Sequence, residues 1–141
     1  MRRIRRAAGS LGIAALCLFS AGFHCGDATQ VKLGEAFELR GGETVSVGGE
    51  VDVRFVSVVQ DSRCPKGEQC ITAGKAVVRL EVTARDGKPA TVDLETGARS
   101  ESGESDVSGF RIVLLDLSPY PSAKRPIIFQ DYLSKLSLHR L

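Results

Sequence analysis

Few residues in this chain could do chemistry, and two of them, Cys64 and Cys70, lie in the stretch DSRCPKGEQC just after a run of valines. Thiols at that spacing could clip a metal, shuttle electrons or staple a loop. A structural zinc site needs a full set of Cys or His ligands, and the only histidine beyond residue 24 is His139, near the C-terminus. A redox pair normally has a C-x-x-C spacing beside a helix, and five residues intervene here. The residue types favour a structural disulfide, which by chain entropy contributes about 2 kcal/mol for so short a loop. Pro65 fixes its own φ and Gly67 can take a positive one, so CPKGEQC reads as a turn tied at its base. Arg63, Pro65, Lys66 and Glu68 make this a candidate interaction loop. Lys66, at its tip, is either bait for a trypsin-like protease or simply a solvated lysine.

Other constellations are thin. A Ser-His-Asp or Cys-His mechanism needs a histidine base beside its nucleophile, and His139 alternates with leucines on what should be the outward face of a terminal strand. Asp93 and Glu95 are same-face neighbours on a predicted strand. Asp61 and Glu68 are the carboxylates a hydrolase could use in the cysteine loop. ESGESD lacks EF-hand spacing, and neither a P-loop nor a dinucleotide fingerprint is present. No catalytic residue, metal site or cofactor is assigned, and a non-enzymatic role stands ahead.

The elements that must position these residues read as strands, because alternation recurs where helical periodicity is absent. VKLGEAFELR (31–40) forms two short pieces around Gly34, and TVSV (44–47) a brief strand. VDVRFVSVV (51–59) puts Val51, Val53 and Phe55 on one face, then breaks phase to Val56 and Val58 as a bulge would. KAVVRLEVTA (75–84) turns Ala76, Val78, Leu80 and Val82 inward. ARDGKPATVDLET is a hairpin around Asp86-Gly87 with Val92 and Leu94 buried. GFRIVLLDL (109–117) buries Phe110, Ile112 and Leu114 and changes phase near Leu115. YLSKLSLHRL (132–141) buries Tyr132, Leu136 and Leu138.

About seven strands separated by turn signals predict an all-β fold, an antiparallel β-sandwich of the immunoglobulin-like class. TGARSESGESDVSG (96–109) is expected as a long acidic loop. SPYPSAKRP (118–126) should be a stiff crossover between the sheets, with Tyr120 over the core edge. If strands alternate up and down, the cysteine loop and acidic loop emerge together and the Pro-rich loop at the other end. Arg63 and Lys66 would then face Glu101, Glu104 and Asp106.

The N-terminus has an address of its own. MRRIRR followed by AAGSLGIAALCLFSAGF predicts a signal peptide over residues 1–28 and a single domain over 29–141. Gly26 and Ala28 suit a cut before Thr29, and Ser20 and Gly22 a cut before Phe23. Cleavage before Cys25 with lipidation of that cysteine is the alternative, against which His24 stands where a lipoprotein signal has a small residue. Membrane contact would come only through such a lipid or an uncleaved signal. Beyond residue 28 the chain has 15 basic and 16 acidic side chains, so the basic balance belongs to the signal and nothing resembles a nucleic-acid-binding footprint.

DSRCP, then a second cysteine and AG before a strand, as in DSRCPKGEQCITAG, resembles a motif of small, uncharacterised bacterial proteins that are exported or lipid-anchored. The resemblance extends to LSPYP at 117–121. It departs at Thr72, where that family commonly has a tryptophan. It implies a β-sandwich and bacterial export, and it implies no activity. The expectation is therefore an exported cell-envelope module, periplasmic, secreted or lipid-anchored, that binds an envelope or extracellular protein. The alternative is a protease inhibitor presenting Lys66.

Overall fold

The computed structural model describes residues 30–97 and 103–141. The expected signal peptide, its cleavage and lipidation sites around Cys25, and Glu101 lie outside them. Strand follows strand: β1 (Ala36–Arg40), β2 (Thr44–Val47), β3 (Val51–Asp61), β4 (Lys75–Ala84), β5 (Ala90–Gly97), β6 (Gly103–Val107), β7 (Phe110–Ser118) and β8 (Leu133–Arg140). The only helical element described is a single 3-10 turn at Phe129–Asp131.

The strands form two four-stranded antiparallel sheets, ordered β2-β3-β4-β5 and β1-β8-β7-β6. Inward residues of both sheets make one core. Alternation places Ala76, Val78, Leu80 and Val82 in it, as expected for a strand with one solvated face. β3 contributes Val51, Val53 and Phe55, then slips register between Phe55 and Ser57, which turns Val56 outward. β7 slips between Leu114 and Asp116, so Leu115 is exposed while Leu114 and Leu117 are buried. Tyr132, Leu136 and Leu138 complete the far side.

Two features depart from expectation. Apart from the β1–β8 pair, hydrogen-bonded neighbours in each sheet are consecutive in the chain, without the Greek-key crossover typical of immunoglobulin sandwiches. And the segment expected as a long acidic loop contains a strand, β6, which pairs antiparallel with β7 and docks against β5. Gly103 opens β6 so tightly that a Cβ there would fall 2.3 Å from the carbonyl oxygen of Glu95.

The extra strand reverses the chain once more. The β7–β8 connection therefore emerges at the same end as the cysteine loop, not the opposite one. It is also not a crossover between sheets, because β7 and β8 are neighbours in one sheet. Asp106 is engaged elsewhere, in a two-pronged pair with Arg111 on the adjacent strand.

Candidate functional site

The site begins where β3 and β4 part. Ser62 closes the neck of the cysteine loop: its N–H donates to Lys75 O at 2.8 Å and its hydroxyl accepts from Lys75 N–H at 3.2 Å. One rung further, Cys64 N–H donates to Ala73 O at 3.1 Å. Gly74 makes this neck feasible, with φ at 65° and its backbone pressed against Ser62. Cys64 and Cys70 are disulfide-bonded, as the spacing predicted. Inside the staple, Glu68 N–H closes a turn onto Pro65 O at 3.2 Å around the positive-φ Gly67.

Arg63 was expected at the interaction surface, yet it is only 5% exposed. Its guanidinium is held by both carboxylate oxygens of Asp61, at 2.8 and 2.7 Å. It also donates to the carbonyl of Leu117, and to that of Pro119 at 2.9 Å. Tyr120, expected to cover the core edge, instead lays its ring 4.5 Å from the Arg63 guanidinium carbon. Tyr132 donates its hydroxyl to Asp61 Oδ2 at 3.0 Å, the oxygen that also accepts from Arg63 Nη2. A buried cation thus locks the cysteine loop of one sheet to the β7–β8 loop of the other, with each of its three nitrogens donating to an acceptor.

The electrostatics follow from that closure. Burial would raise the Asp61 carboxyl, but the hydrogen bonds and charge of Arg63, with the Tyr132 hydroxyl, outweigh it and hold Asp61 below the usual carboxylate range. Burial would lower the Arg63 guanidinium, and Asp61 more than restores it. Burial and the Asp61 carboxylate together push Tyr132 up to about 12. Neither Asp61 nor Tyr132 is poised to exchange a proton near neutrality. The Asp61/Glu68 pairing conceived for a hydrolase is not formed as a catalytic pair: Asp61 is committed to Arg63, and Glu68 is exposed in its turn.

Asp93 and Glu95 are likewise partnered, with Arg79 and Lys75 across the β4–β5 ladder. His139 lies outward as expected, its Nε2 3.2 Å from Ser137 Oγ on the same strand.

Lys66 does not stand proud. Its N–H donates to Pro121 O at 3.4 Å, and its ammonium lies 5.5 Å from the Tyr120 ring centroid. Pro65 is half-buried, whereas Lys66 and Glu68 are exposed. Beside the clamp, a cleft of about 180 Å³ is lined by Asp61, Tyr132, Pro121, Arg125 and Ile127 among others. Seven large apolar side chains are exposed among the described residues. Three of them lie in the two clamped loops, Ile71 in the cysteine loop and Tyr120 and Ile128 in the β7–β8 connection, and Ile71 is fully exposed. The roles of Ser62, Gly74 and Tyr132 escape a sequence reading, although DSRCP, AG and LSPYP are the stretches that supply most of the clamp.

Removing the staple tests how much it contributes. The Cys64→Ser/Cys70→Ser variant should lose at most about 2 kcal/mol of unfolding free energy, measured by urea denaturation. A loss of twice that would mean the neck and clamp cannot hold the loop alone.

What the arrangement can do is hold a shaped, partly apolar surface, and it contains no activated group. No protein-family model, no curated protein and no solved structure matches the chain.

Proposed function

We propose that this chain is an exported cell-envelope β-sandwich that acts as a binding or accessory module, with the cysteine-loop end as its contact surface. One observation carries the proposal. Two loops from opposite sheets are fixed to each other by the buried Arg63, which donates to the carbonyls of Leu117 and Pro119, and those loops carry the exposed Ile71, Tyr120 and Ile128. Loops positioned by a rigid scaffold carry binding function disproportionately. Export is supported by the basic and apolar N-terminal pattern, and a disulfide persists in an oxidising compartment. The resemblance to small exported bacterial proteins points the same way, since its motif residues Asp61, Arg63, Cys64, Cys70 and Gly74 all build the loop and its clamp.

Inhibition of a protease through Lys66 is served less well. Bait must lie extended in the protease cleft, and here Lys66 sits in a tight turn closed by the Glu68 N–H onto Pro65 O, with Gly67 at a positive φ.

The test is retention of the protein, expressed as the full chain in a bacterial host and purified, on that host's envelope fraction. Ile71→Asp and Ile128→Asp should abolish retention, and Leu141→Asp, at the opposite end, should not. Equal retention of all three variants, or none by the parent, would rule the proposal out.

A further inference from the structure

The loop that carries Lys66 is fastened in two separate tiers. Its neck is held by the Ser62–Lys75 and Cys64–Ala73 backbone bonds, by the close seat of Gly74, and by the Arg63 clamp. None of these involves sulfur. Its tip, residues 65–71, is held by the disulfide, the internal turn onto Pro65 and the contacts of Lys66 with Pro121 and Tyr120. The Lys66 bond to Pro121 is long, at 3.4 Å, and the cation–π contact is exposed, so both are weak ties. Cys70 is an exposed residue, open to an attacking thiolate.

We propose that the Cys64–Cys70 disulfide is a reducible lock on the tip alone, and that opening it turns the Lys66–Gly67 bond into a site of proteolytic cleavage while the sandwich stays folded. The reductant is a dithiol of the thioredoxin-like class. Its thiolate attacks one sulfur of the pair, forming a mixed disulfide and releasing the other cysteine as a thiolate. Its second thiol then displaces the remaining cysteine. Two electrons pass to the protein, the dithiol becomes a disulfide, and both protein cysteines end as thiols.

In the locked state Lys66 and Gly67 occupy the centre of a tight turn, with φ of Gly67 at 87°. A protease must bind its substrate extended across the cut bond, which that turn forbids. Once unlocked, the tip can extend. Arg63, one residue before the staple, remains buried in its clamp and should stay uncut in both states. The inference goes beyond the binding proposal and does not depend on it, because the lock is read by cleavage and not by a partner.

The experiment uses the intact protein with trypsin at a low ratio, with and without dithiothreitol, following each peptide bond by mass spectrometry. Reduction should speed cleavage after Lys66 by about 30-fold, the chain-entropy contribution of the staple converted at tenfold per 1.4 kcal/mol. The Arg63–Cys64 bond and the strand lysines and arginines should be unaffected. The Cys64→Ser/Cys70→Ser variant should be cut at the fast rate whether or not dithiol is present. Equal Lys66 cleavage in oxidised and reduced protein would overturn the lock. General fragmentation on reduction, or retention of slow cleavage in the double variant, would overturn it as well.

Discussion

Arg63→Ala is expected to cost about 3–5 kcal/mol of folding stability, because removing one partner of a buried pair leaves the other uncompensated. The side chains of Arg63 and Asp61 are only 4% and 9% exposed. The substitution strands the Asp61 carboxylate and also leaves the carbonyls of Leu117 and Pro119 without their donor. Arg63→Lys should recover little. A lysine is a point charge and cannot span a carboxylate and two carbonyls with a planar fork. Asp61→Asn should be nearly as damaging, and the Asp61→Asn/Arg63→Ala double variant should lose less than the two single losses added. Urea denaturation of the four variants measures this, and a loss below about 1 kcal/mol for Arg63→Ala would reduce the clamp to an ordinary surface pair.

The clamp also contributes to the acid limb of stability. The folded Asp61 carboxyl is held below its unfolded value of about 3.9. Its contribution is therefore complete above that value and is lost as pH falls through the lower folded value. Tyr132 has the opposite sign. Its folded value is raised to about 12, so its contribution is complete below the unfolded value near 10 and is lost as pH rises between them. Stability measured from pH 5 down to pH 2 should fall less steeply in Arg63→Ala than in the parent.

Gly74→Ala is the second large effect, expected at about 3 kcal/mol or more. A Cβ at residue 74 would lie 1.7 Å from the carbonyl oxygen of Ser62, in a backbone with φ at 65°. Backbone strain of roughly 1–3 kcal/mol is joined by loss of the neck hydrogen bonds that must move aside, at about 1 kcal/mol each. Gly67→Ala is the matched control. It too has a positive φ, 87°, but nothing lies within 4 Å of its Cβ direction. It should cost only the left-handed penalty of about 1–2 kcal/mol. Thermal or urea unfolding of the pair decides the matter: similar losses would mean that steric contact at the neck is unimportant.

Strands with one apolar face were legible because side-chain direction alternates with the pleat. β4 shows this in full, and the phase slips after Phe55 and Leu114 could be read from single misplaced apolar residues. β6 could not. GESDV turns only Val107 into the core, so no apolar alternation marks it, and its strand conformation comes from the tight hairpin it makes with β7 and from the Asp106–Arg111 contact. Missing that one strand moved the Pro-rich loop to the wrong end and hid its meeting with the cysteine loop. The disulfide was legible from residue type and spacing. The burial of Arg63 was not, since its carbonyl acceptors lie 54 and 56 residues further along the chain and no local pattern announces them.

The next-neighbour strand order has a kinetic consequence. β2 to β5 and β6 to β8 can each assemble from hairpins of strands consecutive in the chain, whose loops, even the longer ones at 62–74 and 119–132, are far shorter than the span from β1 to β8. β1 alone must find a partner roughly 100 positions away, pairing Ala36 with Ser137 and Arg40 with Leu133. Its docking should come after the barrier, so Leu39→Ala should speed unfolding and barely slow refolding, whereas Leu80→Ala in the central hairpins should slow refolding. The chain would then spend its folding time as two meanders in search of an edge, with β1 the last piece to close the sandwich.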